Sequence, residues 1–155
     1  MNAASPETVL VVNPVSAPLQ FALYRAGRLE ESWSREGYAS ELLVEELDRL
    51  SEREKIDEIL YVNGPGSQMG IKLSYIALKT LELLRGIPFG AVSAFALNGG
   101  RPLKAMGRLY FVKEKETIIT KTFNEPIAQE FSFPSDLEAV EREPENRPDY
   151  RLPAV

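Results

Sequence analysis

The sequence contains neither cysteine nor histidine. Without cysteine there is no disulfide framework, no thiolate nucleophile and no zinc–thiolate site. Without histidine the chain lacks the commonest general base and the commonest transition-metal ligand. The serine hydroxyls therefore have no histidine to activate them as nucleophiles. These two absences remove most familiar catalytic constellations before any motif is considered.

An excess of positive charge and a long hydrophobic run are missing as well. Lysine and arginine number 18 against 23 aspartates and glutamates, which gives a net charge of −5. This balance argues against a nucleic-acid footprint built by the chain alone. No stretch approaches the roughly 20 apolar residues of a membrane span, and the start of the chain does not resemble a signal peptide. We therefore expect a cytoplasmic protein with no membrane contact.

The order of apolar segments predicts an α/β fold. The 155 residues are 44% hydrophobic, enough for one domain with its own core. A continuously apolar strand is followed by a hairpin around Ala26-Gly27, then by helix, strand, helix and strand. Strands joined through a helix pair in parallel, whereas the hairpin adds antiparallel strands, so the sheet should be mixed. The candidate N-caps of the helices in this part of the chain are Ser40, Ser67 and Ser93.

The sequence changes character after Asn98. Residues 1–98 form the predicted first lobe, and residues 99–155 hold a predicted hairpin at about 105–123 and a proline-rich, charged tail. Within that tail a short helix is expected near 135–143, with Ser135 as cap and Glu138 completing a capping box. The last ten to fifteen residues are expected to be extended or mobile.

The stretch "NGPGSQMG" (63–70) has two readings. Backbone N–H groups at a helix start can hold an anion, so Gly64, Gly66, Ser67 and Gly70 form a candidate anion or nucleotide loop. The spacing matches neither a Walker loop nor a GxGxxG fingerprint. The alternative is a tight strand-to-helix turn capped by Ser67, and the residues favour this second reading.

The helix that follows the turn carries more apolar surface than one sheet contact needs. At about 100° per residue it shows two apolar stripes and one polar strip. One stripe contains Met69, Leu73, Ile76, Ala77, Thr80 and Leu84, and the other contains Ile71, Ser74, Leu78 and Leu81. A helix lying on a sheet needs a single stripe, so either a neighbouring helix or a partner protein must cover the surplus.

Residues 63–98, "NGPGSQMGIKLSYIALKTLELLRGIPFGAVSAFALN", resemble a stretch of the TsaB family, formerly called YeaZ, which is involved in bacterial tRNA threonylcarbamoyladenosine (t6A) biosynthesis. The family pattern is close to GPGSFTGLRIG followed, after a helix, by GIPxxGVSSLEAL. The chain resembles the family over about residues 8–123, most specifically in this block. The matching residues are Gly64, Pro65, Gly66, Ser67, Gly70, Gly86, Ile87, Pro88, Val92 and Ser93.

The resemblance implies an actin-like (ASKHA, ribonuclease H-like) mixed sheet with helices, with the second lobe truncated here. It implies a non-catalytic subunit that binds a TsaD-like subunit in a complex joined by a TsaE-like ATPase. That complex modifies adenosine 37 of ANN-decoding tRNAs. The chain would then bind no cofactor or metal alone, with ATP or ADP at most at the interface of the complex, and would reach tRNA only through the complex.

The family's interface helices correspond to the two main helices of this chain. The resemblance therefore implies a mostly apolar contact and no catalytic residue. It also predicts that Leu78→Glu breaks the heterodimer and leaves the fold intact. The expected contact residues are Tyr38, Leu42, Glu45, Glu46, Lys72, Ser74, Tyr75, Leu78 and Leu81.

One departure from the family bears on the alternatives. The Asp-Thr-Ser that ends the family's first strand is Asn13-Pro14-Val15 here, which removes the carboxylate a nucleotidase would use for a metal. An actin-like nucleotide-binding enzyme, ATPase or peptidase-like, is the first alternative. A homodimer that regulates assembly by masking the same face is the second.

Overall fold

A mixed five-stranded sheet organises the first part of the chain in the computed structural model, which describes residues 7–151. The spatial order is β3-β2-β1-β4-β5; β1 runs antiparallel to β2 and parallel to β4, and β5 is parallel to β4. The predicted α/β mixed sheet is therefore confirmed. The strands are β1 (Thr8–Asn13), β2 (Leu19–Arg25), β3 (Arg28–Arg35), β4 (Glu58–Val62) and β5 (Phe89–Val92).

The burial of each strand follows from its place in the sheet. Strand β1 is central and every one of its residues is buried, which explains its continuous apolar run. Strand β3 lies at the edge and alternates between exposed and half-buried residues. The hairpin that joins β2 to β3 turns at Ala26 and Gly27, whose φ angles of 52° and 79° suit a two-residue turn.

Two helices cover one face of this sheet. Helix α1 (Ala39–Ser51) joins β3 to β4, and helix α2 (Gln68–Arg85) joins β4 to β5. The predicted cap Ser40 is wrong, because α1 begins after Tyr38 and Ser40 lies inside the first turn. The core on this face is built from both helices and the inward residues of the strands, including Leu10, Val12, Phe21, Leu43, Leu47, Tyr61, Ile71, Leu78, Leu81 and Phe89.

A short helix and a second sheet cover the other face. Ser93 caps helix α3 (Ala94–Leu97), as predicted, by accepting a hydrogen bond from the Phe95 N–H at 3.2 Å. The second sheet is antiparallel and has the order β6-β7-β8, so the predicted hairpin at 105–123 is present with one further strand. Its strands are β6 (Leu103–Met106), β7 (Leu109–Glu114) and β8 (Thr117–Thr122).

The chain returns from the second sheet to the first. Phe131, Phe133, Leu137 and Val140 pack in the same cluster as inward residues of β1, β2 and β4. The predicted boundary between residues 98 and 99 falls in the loop between α3 and β6. The later region is thus not packed apart from the five-stranded sheet, and the predicted division stays a prediction.

The expected helix near residues 135–143 is a single 3-10 turn, Leu137–Ala139. Its cap is Asp136, which accepts a hydrogen bond from the Glu138 N–H at 3.0 Å, so the predicted cap Ser135 is wrong. The Ser135 carbonyl instead accepts from the Leu29 N–H at 2.9 Å, which ties this turn to the edge strand β3.

Residues 141–151, here named the C-terminal strap, follow this turn. Arg142 forms an isolated antiparallel bridge with Val92 at the start of the strap, and residues 143–151 contain neither helix nor strand. This agrees with the expected extended tail, although residues 152–155 lie outside the described residues. No helix within residues 7–151 combines the length and apolar composition needed to cross a membrane.

Candidate docking face and glycine turn

Helix α2 has well-defined ends. The Ser67 hydroxyl oxygen accepts a hydrogen bond from the Gly70 N–H at 3.5 Å, as the sequence predicts for an N-cap. Gly86 follows the helix with a φ of 68°, the left-handed conformation that favours glycine and ends helices. The helix therefore begins after Ser67 and ends before Gly86, a length of 18 residues.

The two glycines of the turn before α2, and a third in the first turn of the helix, are closely covered by other parts of the chain. A Cβ atom on Gly64 would lie 2.6 Å from the Asp149 carbonyl oxygen, and one on Gly66 would lie 2.5 Å from a Val15 methyl. One on Gly70 would lie 2.7 Å from the Pro14 carbonyl oxygen. Close packing thus accounts for all three glycines. The prediction that the turn holds an anion or nucleotide stays a prediction.

The end of β1 uses its polar side chain locally. Asn13 is fully buried, and its Oδ1 accepts a hydrogen bond from the Val15 N–H at 3.0 Å. Its Nδ2 donates to Gln20 Oε1 at 3.2 Å. Asn13 therefore closes the loop between β1 and β2, and this loop packs on Gly66 and Gly70.

A cleft of about 1140 Å³ lies between the glycine turn and the second sheet. Three cationic side chains line it, Arg101, Lys104 and Arg151, together with the carboxylate of Glu130. Arg101 lies 3.7 Å from that carboxylate. Within residues 7–151 no group of three or more acidic side chains is arranged to hold a metal ion. The lining of the cleft is thus mixed in charge, with cationic side chains in excess.

The two apolar stripes of α2 have opposite environments. Ile71, Ser74, Leu78 and Leu81 face the sheet and are buried. Leu78, for example, is only 1% exposed. On the opposite side Met69 is 65% exposed, Ile76 50%, Leu83 82% and Leu84 78%. These four exposed side chains are here named the docking face.

Exposed charged residues lie on both helices. Lys72 and Lys79 lie on the exposed side of α2, whereas Glu41, Glu45 and Asp48 lie on the exposed side of α1. The two helices are linked at one end, where the Arg85 guanidinium lies 2.9 Å from the Asp48 carboxylate. Exposed charges of both signs on the two helices favour a partner of complementary charge pattern.

The structure corrects five of the predicted contact residues. Leu42, Ser74, Leu78 and Leu81 are buried in the core of this chain, so a partner cannot reach them without unfolding it. Glu46 is also buried, and its carboxylate is held by two arginines. The expectation that Leu78→Glu leaves the fold intact is therefore wrong, because it would place a charge against the sheet.

The other four predicted contact residues reach the surface. Tyr38, Glu45 and Lys72 are exposed. Tyr75 is half-buried, and its ring lies 5.9 Å from the ring of Phe89. Their role in binding a partner stays a prediction.

The predicted contact set omitted the most exposed apolar residues of α2. Met69, Ile76 and Leu84 belong to the first apolar stripe in the sequence, so periodicity detected the surface but not which stripe faced outward. The predicted stripes leave out Leu83, although it follows Ile76 by seven residues and therefore lies only about 20° from it at 100° per residue. α1 adds two further exposed apolar side chains, Tyr38 and Val44.

Two buried tyrosines join the first sheet to the later part of the chain. The Tyr61 hydroxyl donates to the Asn146 carbonyl at 2.5 Å, and burial raises the pKa of Tyr61 above its ordinary value. The Tyr24 hydroxyl donates to the Pro134 carbonyl at 2.6 Å. Burial, with a smaller contribution from Asp136, raises the pKa of Tyr24 to about 12. Both hydroxyls are therefore neutral donors with a structural role.

Comparisons with known proteins identify the fold. No protein-family model and no curated protein matches the chain. YeaZ from Pseudomonas aeruginosa matches with a TM-score of 0.59 and 16% identity, over 81% of this chain and 74% of that one. A Pseudomonas aeruginosa protein described as uncharacterized, with similarity to peptidase YeaZ, also gives 0.59, with 17% identity over 79% and 69%. The chain thus has the fold of the YeaZ proteins, a mixed α/β sheet with helices.

Proposed function

We propose that this chain is a divergent, non-catalytic TsaB-like subunit that docks onto a TsaD-like subunit. In this role it supports the threonylcarbamoylation of adenosine 37 in ANN-decoding tRNAs. The observation that carries the proposal is the docking face: four large apolar side chains exposed along one side of α2. Contiguous apolar surface of this kind marks interaction sites in proteins that are otherwise polar outside.

The local chemistry supports docking over catalysis. The sequence supplies neither histidine nor cysteine. Asn13 takes the place where an actin-like nucleotidase would need a carboxylate, and both polar atoms of its side chain are engaged in holding its own loop. The glycine turn is packed against Pro14, Val15 and Asp149. These contacts engage Asn13 and the glycine turn in holding the fold together, which supports a docking role over a catalytic one.

The rest of the complex would supply what this chain lacks. A TsaE-like ATPase would join the assembly, with ATP or ADP at an interface rather than in this chain alone. The net charge of −5 suits a subunit whose partners make most of the phosphate contacts to tRNA.

The proposal is tested by co-purification with the TsaD-like subunit of the same organism, followed by a tRNA modification assay with and without this chain. We expect a stable complex and t6A formation that depends on the chain. Light scattering of the chain alone reports whether two copies associate when the partner is absent, and Leu83→Glu then tests whether they do so through the same face. Undiminished t6A formation without the chain, or no complex at all, would refute the proposal.

The docking face is tested with Leu83→Glu and Ile76→Glu. Both side chains are at least half exposed, so the fold should tolerate the change, whereas a buried charge at an interface is costly. We expect binding to weaken by about tenfold or more. Met106→Glu is the matched control, because Met106 is similarly exposed but lies on the second sheet, and it should bind as the wild type does.

A further inference from the structure

The C-terminal strap is attached along its whole described length to the edge and the carboxyl ends of the first sheet. Backbone hydrogen bonds run from the Glu143 N–H to the Ala91 carbonyl at 2.8 Å and from the Asp149 N–H to the Asn63 carbonyl at 2.7 Å. Side chains add the contacts Arg142–Glu58 at 2.6 Å, Asn146 Nδ2 to the Phe89 carbonyl at 3.1 Å and Asn63 Nδ2 to the Arg147 carbonyl at 2.8 Å.

The strap ends beside the first turn of α2. Tyr150 is 47% exposed and lines a hollow of about 450 Å³ together with Gln68, Met69 and Lys72. Met69 is also a member of the docking face. The strap therefore brings one aromatic side chain from the end of the described chain onto the surface that the proposed partner would contact.

The hollow combines two apolar walls with one cation, the Lys72 ammonium group. Met69 and the Tyr150 ring supply the walls. Within residues 7–151 no carboxylate lies within 4.0 Å of the Lys72 ammonium group, whereas Lys79 on the same helix faces Glu82 at 3.7 Å. A ligand group that fits here is an apolar side chain with a carboxylate close to it in the partner's sequence.

We propose that the C-terminal strap completes the docking face by placing Tyr150 on the first turn of α2, where the hollow receives an apolar side chain and Lys72 pairs with a neighbouring carboxylate of the partner subunit. This inference rests on the proposed function and identifies a second contact region for the same partner. The strap is held by the chain's own hydrogen bonds, so Tyr150 is positioned before the partner arrives. Pre-organisation of this kind lowers the entropy cost of binding.

Tyr150→Ala and Lys72→Glu test the two halves of the hollow. Neither side chain belongs to the bonds that anchor the strap, so melting temperatures should stay close to that of the wild type. With the TsaD-like subunit of the same organism as the probe, Tyr150→Ala should weaken binding by about fivefold to thirtyfold. Lys72→Glu should weaken it by about tenfold, with the loss shrinking as salt rises.

Three control variants separate the hollow from general effects. Tyr150→Phe keeps the ring and should bind as the wild type does. Lys55→Glu makes the same charge change on an exposed residue of the α1–β4 loop, and Met106→Ala removes an exposed side chain from the second sheet. Both should change affinity by less than about twofold.

The outcomes distinguish this inference from the proposed function. If Leu83→Glu abolishes binding but Tyr150→Ala and Lys72→Glu bind as the wild type does, the role of the strap is refuted and the docking face stands. If the wild type does not bind the TsaD-like subunit, both are refuted. If Tyr150→Ala and Lys72→Glu lose affinity while Tyr150→Phe and Lys55→Glu do not, the role of the strap and the proposed function are both supported.

Discussion

The backbone carbonyl oxygen of Asp149 lies so close to Gly64 that a Cβ atom built there would be 2.6 Å away. No real side chain shows such an approach, so the strap and the glycine turn fit together only while residue 64 is glycine. The φ of Gly64, +124°, also belongs to a region that other residues rarely adopt. The contact joins the end of the described chain to the start of α2.

Gly64→Ala should therefore destabilise the protein by about 1–3 kcal/mol, because the strap must shift away from the turn. Gly99→Ala is the matched control: its φ is also positive, +70°, but nothing lies within 4 Å of its Cβ position. Backbone strain alone should cost it about 1 kcal/mol. Urea unfolding measures both, and equal losses would contradict a steric role for Asp149.

Alanine substitutions at Leu78 and Leu83 compare the buried and the exposed side of α2. Leu78→Ala should cost about 2–5 kcal/mol, because it leaves a cavity beneath the helix. Leu83→Ala should change the free energy of unfolding by less than about 0.5 kcal/mol, since its side chain touches mainly solvent. Chemical denaturation of both variants gives the comparison. A larger loss of stability for Leu83→Ala than for Leu78→Ala would mean that Leu83, and not Leu78, faces the sheet.

The sequence is sufficient to predict the fold because its local patterns agree with one another. The buried run of β1, the two-residue turn at Ala26-Gly27, the Ser67 cap and the Gly86 stop each determine one element. The two strand–helix–strand units predict parallel strands and the hairpin predicts antiparallel ones, so together they predict a mixed sheet. The cap of α1 was missed because Tyr38 begins the helix with no side-chain hydrogen bond to mark it.

The orientation of α2 was not predictable from its own residues. Both stripes are apolar, and the buried one contains Ser74, so the hydrophobic pattern does not favour the side that faces the sheet. Which stripe is buried depends on long-range packing against strands such as β1 and β4. The same holds for Tyr150, whose place beside Met69 depends on the course of a strap that has no periodic pattern.

Glu46 is a buried carboxylate held by two arginines. Its Oε1 lies 3.2 Å from Arg35 Nη1, and its Oε2 lies 2.7 Å from Arg49 Nη2. Glu46→Ala should cost about 1–3 kcal/mol, because it leaves both guanidinium groups without this acceptor. Glu45→Ala is the control: Glu45 also pairs with Arg35, at 2.8 Å, but is exposed and should cost less than about 1 kcal/mol. Thermal unfolding of the two variants checks the difference, and equal losses would contradict it.

The titration of Glu143 in the strap makes the free energy of unfolding depend on pH. Burial raises the pKa of the Glu143 carboxyl above its ordinary value of 4.5, with further contributions from Asp149 and Glu141 and opposing ones from Lys113 and Arg151. Between 4.5 and the raised pKa, the folded state binds more protons than the unfolded state. The contribution of Glu143 to the free energy of unfolding therefore falls as pH rises through this window. The loss is complete above the raised pKa.

Glu143→Gln removes this titration. The variant should be more stable than the wild type near neutral pH, and the difference should disappear as pH falls below the ordinary value of 4.5. Glu145→Gln is the control: it makes the same change at an exposed position of the strap that does not contribute to the pKa of Glu143, and it should alter stability by less than about 0.5 kcal/mol. Urea unfolding at a series of pH values measures the effect. A wild type that is more stable than Glu143→Gln near neutral pH would mean that an interaction of the ionised carboxylate outweighs the cost of burying it.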